Sequence, residues 1–252
     1  MNCEKDNNVT VKITTALLMA AGMGTRIRPL SENTPKPLIP VNGVPIIETN
    51  IRALIKAGIE KIYITVGYKK EKYYYLKEKY GIIEFIENKE YESKNTISSF
   101  YAAMDYLSGK NCYISESDLY IANPEIIKGE VDKSRYYLRF VPDQDYEWGF
   151  ELEDDRVKKV VRPIKGIYLN HHMYGMAYWL KDDLDLLIES VKQLYKNPGH
   201  EGMAYDEAAN YIFDKINMGI IAVDDGQVYE IDSIDDLVKI DSSYMEYTVN
   251  KK

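Results

Sequence analysis

Two hydrophobic rhythms divide the chain. Up to about residue 120, short apolar runs alternate with segments of helical period. Ile13–Met19 is an unbroken apolar run of the kind that makes a buried strand. A helix is predicted from Pro45 to Ala57, with proline in its first turn and Gly58 as its stop. Lys61–Val66 is a strand closed by Gly67, and 70–80 a helix stopped at Gly81. Ile82–Glu87 is a short strand, and 96–107 a helix with Asn95 as its N-cap. Cys112–Ser115 is a strand that runs into the acidic turn Glu116-Ser117-Asp118. This alternation implies a parallel sheet with helices on both faces.

From about residue 135 the period shortens to two. The runs 136–141, 148–152, 157–161 and 172–179 are closely spaced and β-like, which predicts antiparallel hairpins. Helices follow at 182–195 and 205–213, strands at 216–223 and 228–231, and a last helix at 234–240. The expected architecture is α/β, a Rossmann-like mixed but mainly parallel sheet flanked by helices, with a β-rich lid or substrate region. Residues 1–12 are expected to be a flexible extension and 13–245 a single domain.

The bulk composition narrows the possible partners. The chain has 252 residues, 45% of them hydrophobic, enough for one large core. A net charge of −8 argues against nucleic acid. No run approaches the roughly 18 apolar residues of a membrane span, and the polar start MNCEKDNNVTVK has no export signal. Cys3 and Cys112 make no disulfide framework, which fits a cytoplasmic protein. His171, His172 and His200 accompany no nucleophile motif and are expected at the surface or in loops.

The most specific chemistry lies in 20–40, AAGMGTRIRPLSENTPKPLIP, directly after the first strand. Gly22 and Gly24 let backbone amides approach a phosphate, because no Cβ stands in the way. Arg26, Arg28 and Lys36 add positive charge to the same anion. In an acidic chain this local gathering of cations suits a triphosphate. The dinucleotide fingerprint is excluded because Ile27 stands where its third glycine belongs, and the Walker loop because no lysine follows Gly24. A triphosphate in reaction needs a divalent cation, and Mg2+ takes oxygen ligands. Two acidic pairs end strands: Glu116 with Asp118, and Glu230 with Asp232. Asp154-Asp155 and Asp182-Asp183 have no such setting and are expected to be solvated.

The spacing G-x-G-x-R, a long gap, then P-K-P resembles the signature of the nucleotidyltransferases, which activate a small phosphate monoester with an NTP. The resemblance covers roughly 13–240 and is patchy over 120–200. It implies that 13–120 is the nucleotide-binding half and 121–245 the acceptor-binding half. It implies nucleotide contacts from Ala20, Ala21, Gly22, Gly24, Thr25 and Arg26, with Asn95 and Ser98 near the base or ribose. Arg26 would grip the outer phosphates, and Lys36 would meet the α-phosphate and the acceptor. Asp118 and Asp232 match the family's metal-ligand positions, with Glu230 as their helper.

The segment Lys94-Asn95-Thr96-Ile97-Ser98-Ser99-Phe100 replaces the Gln-x-x-Pro-x-Gly of the sugar-nucleotide branch. It is similar instead to bacterial CTP:phosphocholine cytidylyltransferases, as are 33–36, 75–81 and 229–233. The expected partners are therefore CTP and phosphocholine, giving CDP-choline and pyrophosphate by in-line displacement with Mg2+. The resemblance implies a quaternary-ammonium site from Trp148 and Tyr205 as aromatic faces with Asp206 for charge. A primary amine prefers carboxylates that accept its hydrogen bonds. 2-Aminoethylphosphonate and phosphoethanolamine thus remain alternative acceptors. A sugar-1-phosphate enzyme or a non-catalytic nucleotide sensor are the further rivals.

Overall fold

The computed structural model describes residues 9–249. Thirteen strands organise the site: β1 (Val11–Lys12), β2 (Thr15–Ala20), β3 (Lys61–Val66), β4 (Ile83–Glu87), β5 (Cys112–Glu116), β6 (Leu119–Ile121), β7 (Glu130–Val131), β8 (Arg135–Asp145), β9 (Gly149–Glu153), β10 (Arg156–Val161), β11 (Leu169–Trp179), β12 (Gly219–Ala222) and β13 (Val228–Glu230). Seven of them form the central sheet in the order β12–β8–β11–β5–β2–β3–β4. The pairs β2–β3, β2–β5, β3–β4 and β8–β12 are parallel. β11 runs antiparallel to both of its neighbours, β5 and β8. The sheet is thus mixed and mainly parallel, as the rhythm of the sequence implies.

Side chains alternate across a strand, and β2 divides the molecule accordingly. Leu17 and Met19 belong to one core with Phe100, Leu184 and Trp179. Ala16, Leu18 and Ala20 belong to the other with Ile47, Ile51, Leu54 and Leu76. The first core is covered by α4 (Ile97–Leu107) and α5 (Lys181–Leu194), the second by α2 (Ile46–Lys56) and α3 (Tyr75–Tyr80). A third, smaller core joins Ile27, Ile39 and Val41 to Ile231, Ile234 and Leu237 of α6 (Ile234–Ile240) and its approach. Ile27 is the anchor of the cation-rich loop there; burying such a side chain contributes about 1.5–3 kcal/mol.

Several boundaries differ from expectation. The helix expected over 70–80 is a 3-10 turn at Lys70–Tyr73 followed by α3, which Gly81 ends at φ +71°. Thr96, not Asn95, occupies the cap position of α4, while Asn95 Oδ1 accepts from the Thr96 amide at 2.7 Å. The helix expected over 205–213 is a 3-10 segment, Tyr205–Tyr211. Of the expected loose extension, residues 1–8 lie outside the described residues. Its end is tied down: β1 pairs with β7, and the Ile13 amide donates to Gly129 O at 2.9 Å. β6 pairs with β13, Leu119 opposite Glu230.

Candidate active site

A cleft of about 1030 Å3 opens at the carboxyl ends of β2 and β5, where open α/β sheets gather their ligands. Ala20, Ala21, Gly22, Gly24, Thr25 and Arg26 form one wall, with Lys36 beneath. Gly24 has φ +60°, and a Cβ there would stand 2.8 Å from Lys36 Cβ. Only glycine combines that left-handed backbone with so close an approach. The loop is braced from below. Tyr73 Oη donates to Ala20 O at 3.0 Å, the Tyr68 amide to Ala21 O at 3.0 Å, and Ser117 Oγ to Met19 O at 2.6 Å.

Asp118 and Asp232, 114 residues apart in sequence, meet because of the β6–β13 ladder. One step beyond the Leu119–Glu230 pair, the Ile231 amide donates to Asp118 O at 3.1 Å. The two carboxylates then converge on one point, held here by the Lys36 ammonium at 2.7 Å from Asp118 Oδ2 and 2.9 Å from Asp232 Oδ1. Arg26 reaches Asp232 Oδ1 at 2.7 Å from the exposed rim. Burial alone would lower the Lys36 pKa. Asp118 and then Asp232 outweigh it and hold the group well above the usual lysine range, so Lys36 is charged.

The pair fits a hard divalent cation. Both side chains supply only oxygen donors, they converge on a point that already holds a cation, and Asp118 Oδ1 is buried with no hydrogen-bond partner among the described residues. Among the described residues no three acidic, histidine or cysteine side chains cluster as a metal cage. Two carboxylates suit an ion that reaches the site with a triphosphate and takes its remaining oxygens from the nucleotide.

The far end of the cleft is rich in carboxylates. Glu116, Glu147, Asp206 and Glu230 all line it. Asp206 is 1% exposed, and burial pushes its carboxyl up to about 7. The hydroxyls of Tyr136 and Tyr205 lie beside it and, as hydrogen-bond donors, oppose that rise. Their geometry is loose: among the described residues Asp206 Oδ1, Tyr136 Oη and Tyr205 Oη are buried short of a well-formed bond. Glu116 is raised well above the usual carboxylate range by burial, and next by Asp118, Asp206 and Glu230. Its carboxylate lies flat across Gly175, where a Cβ would come within 2.8 Å of Glu116 Cγ. Glu230 is exposed to the cleft; the protein crowded round its carboxyl, followed by the charges of Asp118 and Asp232, raises it above the usual carboxylate range.

Most of the sequence-predicted residues meet in this cleft. Asn95 and Trp148 line it together with the loop glycines, Lys36, Asp118, Asp206, Glu230 and Asp232. Two do not. Ser98 is buried and bonded away from the cleft, accepting from Asn88 Nδ2 at 2.9 Å and donating to Asn95 O at 2.8 Å; its neighbours Thr96 and Ser99 line the wall instead. Tyr205 is no wall of an aromatic box. It is fully buried and stacked on Phe100, with centroids 5.5 Å apart and planes 10° from parallel. The expectation for the histidines holds only in part. His200 lies in a loop but is buried, whereas His171 is a buried residue of β11 whose Nε2 accepts from the Phe150 amide at 3.1 Å. His172 lines the cleft with Arg139, its partner across β8 and β11. Period-two counting along β11 was the available signal, since it sends His171 and His172 to opposite faces.

Comparison with known proteins agrees with this geometry. Residues 15–136 match the nucleotidyl transferase family. Over 245 residues the chain is 40% identical to a 2-aminoethylphosphonate cytidylyltransferase of Lancefieldella rimae, covering 97% of this chain and 98% of that protein. It is 30% identical over 227 residues to a choline-phosphate cytidylyltransferase of Streptococcus pneumoniae, covering 90% and 96%. The solved CTP:phosphocholine cytidylyltransferase of Streptococcus pneumoniae superposes with a TM-score of 0.83 at 28% identity, covering 92% of this chain and 99% of that one.

Proposed function

The chain belongs to the nucleotidyl transferase family, and from that footing we propose that it transfers CMP from CTP to a primary-amine acceptor of the 2-aminoethylphosphonate kind. The observation that carries the choice of acceptor is the Asp206 carboxyl, buried at the cleft beside the Tyr136 and Tyr205 hydroxyls, with Oδ1 short of a well-formed hydrogen bond among the described residues. An orphaned buried acceptor costs about 1–3 kcal/mol, more when charged. A primary ammonium has three N–H donors to give it, and a trimethylammonium has none. Withdrawal of Tyr205 into the core also removes one face of the aromatic box that choline would use. The relative from Lancefieldella rimae supports the same choice. Phosphocholine is the second reading, favoured by Trp148 in the cleft and by the streptococcal relative.

In this account the acceptor's phosphonate oxygen attacks the α-phosphorus of CTP. A new P–O bond forms as the bond to pyrophosphate breaks, and no side chain is covalently modified. The Gly22–Thr25 amides and Arg26 hold the outer phosphates, and Asn95, Thr96 and Ser99 face the nucleoside. Asp118 and Asp232 would hold Mg2+, which supplies positive charge to the phosphate oxygens as the α-phosphorus is attacked. Lys36 stands between the two subsites, where negative charge collects as the two anions meet. Asp206 and Glu116 orient the ammonium end, and Trp148 covers it. Burial of Asp206 limits the water that can compete for the ammonium there, while Glu116 is half-buried.

The test is pyrophosphate release across a matrix of CTP, UTP, dTTP, ATP and GTP against 2-aminoethylphosphonate, phosphoethanolamine, phosphocholine and glucose-1-phosphate. A dominant CTP row with its largest rates on the primary amines is expected. A maximum at phosphocholine would move the assignment to the second reading.

A further inference from the structure

Arg162 does not line the cleft, yet it touches the segments that build its acceptor end. It follows β10, on a β9–β10 ladder separate from the central sheet. Its guanidinium forks onto Glu207, with Nε and Nη2 donating to the two carboxylate oxygens. Nη2 also donates to Gly202 O at 2.9 Å, and Cζ stands 5.6 Å from the centre of the Trp148 ring. Glu207 in turn accepts from the Ala204 amide at 2.8 Å and directly follows Asp206. On its other side the same loop is sewn to the nucleotide wall. The Asn95 amide donates to Glu201 O at 2.8 Å, and the Tyr205 amide to Thr96 Oγ1 at 3.2 Å.

We propose that Arg162 is a positioning residue for the acceptor, fixing Trp148 and Asp206 relative to each other through its fork on Glu207. This rests on the reading that the acceptor's cationic end lies between those two side chains. Trp148 lies just before the β9–β10 ladder and packs in part against the first core; among the described residues Trp148 O accepts from the Met173 amide at 2.7 Å, and the Arg162 guanidinium is the cation against its ring. A guanidinium can serve Glu207, the Gly202 carbonyl and an aromatic face at once, because its donors are planar and forked. A lysine ammonium cannot meet all three. The glycine-rich side of the nucleotide wall is braced separately by Tyr68, Tyr73 and Ser117, so the larger effect falls on the acceptor.

The experiment measures kcat and KM for both substrates in Arg162→Ala, Arg162→Lys, Glu207→Arg and the exchange Arg162→Glu/Glu207→Arg. Arg162→Ala is expected to raise the acceptor KM by about tenfold or more, with a distinctly smaller rise in the CTP KM through the loop's bonds to Asn95 and Thr96. Arg162→Lys should fall between wild type and Ala, and it carries the test if the alanine variant does not fold. The exchange should recover acceptor KM relative to Glu207→Arg alone. Equal rises in both KM values or an unchanged acceptor KM would overturn the proposal. Each variant is assayed on 2-aminoethylphosphonate and on phosphocholine. A wild-type preference for phosphocholine would refute the amine reading alone, while the KM split on the preferred acceptor still decides the role of Arg162.

Discussion

Asp206→Asn removes one charge and almost no volume from the acceptor end of the cleft. Wild-type Asp206 is buried beside the Tyr136 and Tyr205 hydroxyls, and its Oδ1 makes no well-formed hydrogen bond among the described residues; in the proposed complex the ammonium supplies one. Truncating one member of a desolvated, hydrogen-bonded charge pair costs about 2–5 kcal/mol. The amide keeps one carbonyl acceptor, which places the loss toward the lower part of that range, about 2.7 kcal/mol or a hundredfold in acceptor kcat/KM. The CTP KM should change less than about threefold, because an isosteric side-chain change leaves in place the backbone bonds that tie this loop to Asn95 and Thr96. The pH profile gives a second readout. Asp206 is raised to about 7 by burial, so it is largely protonated below that pH and charged above it. Binding of a cationic amine to the free enzyme therefore strengthens as pH rises through 7. The difference between the wild-type and Asp206→Asn profiles of kcat/KM should show that limb. Pyrophosphate release at saturating CTP, from pH 5.5 to 9, measures both quantities. A loss under about threefold, or an identical limb in the amide variant, would remove Asp206 from the acceptor site.

Other substitutions probe the remaining parts. Lys36→Met should lower kcat at least about a hundredfold, roughly 2.7 kcal/mol, in single-turnover assays; a few-fold change would place Lys36 outside the reacting centre. Gly24→Ala meets Lys36 Cβ at 2.8 Å from a backbone at φ +60°. It should cost about 1–2 kcal/mol of stability, read as a fall in Tm, together with a drop in kcat; an unchanged Tm would contradict the strain. Asp118→Asn should raise the Mg2+ concentration needed for half-maximal rate, while circular dichroism stays native; an unchanged metal dependence would count against its ligand role. Trp148→Ala should raise the acceptor KM more than the CTP KM, and equal effects would make the ring structural.

The fold was legible because its signals are local. The apolar run before Ala20, the helix over Ile46–Lys56 and the strand Lys61–Val66 follow from residue spacing alone, and the glycine-arginine loop lies where a strand ends. The convergence of Asp118 and Asp232 on Lys36 was legible only through the family resemblance, because the pairing of β6 with β13 joins segments more than a hundred residues apart. Tyr205 failed for a reason of backbone geometry. The segment Tyr205–Tyr211 is a 3-10 helix, and its first residue turns inward onto Phe100 while Asp206 remains on the cleft. Ser98 and Ser99 differ by one helical step, about 100° of rotation; this is enough to send one toward Asn88 and Asn95 and leave the other on the wall. The burial of His171 and His200 required knowing what packs over them, which no local pattern supplies.

The central claim is that N–H donors on the acceptor satisfy buried carboxylate oxygens. It is tested most directly by kcat/KM for 2-aminoethylphosphonate and its mono-, di- and trimethylated amines, at fixed CTP and Mg2+. Each methyl removes one donor while leaving the phosphonate and its spacing unchanged. The account predicts a stepwise fall, with the trimethylated compound about a hundredfold below the parent. A flat series, or a maximum at the trimethylated end, would contradict it.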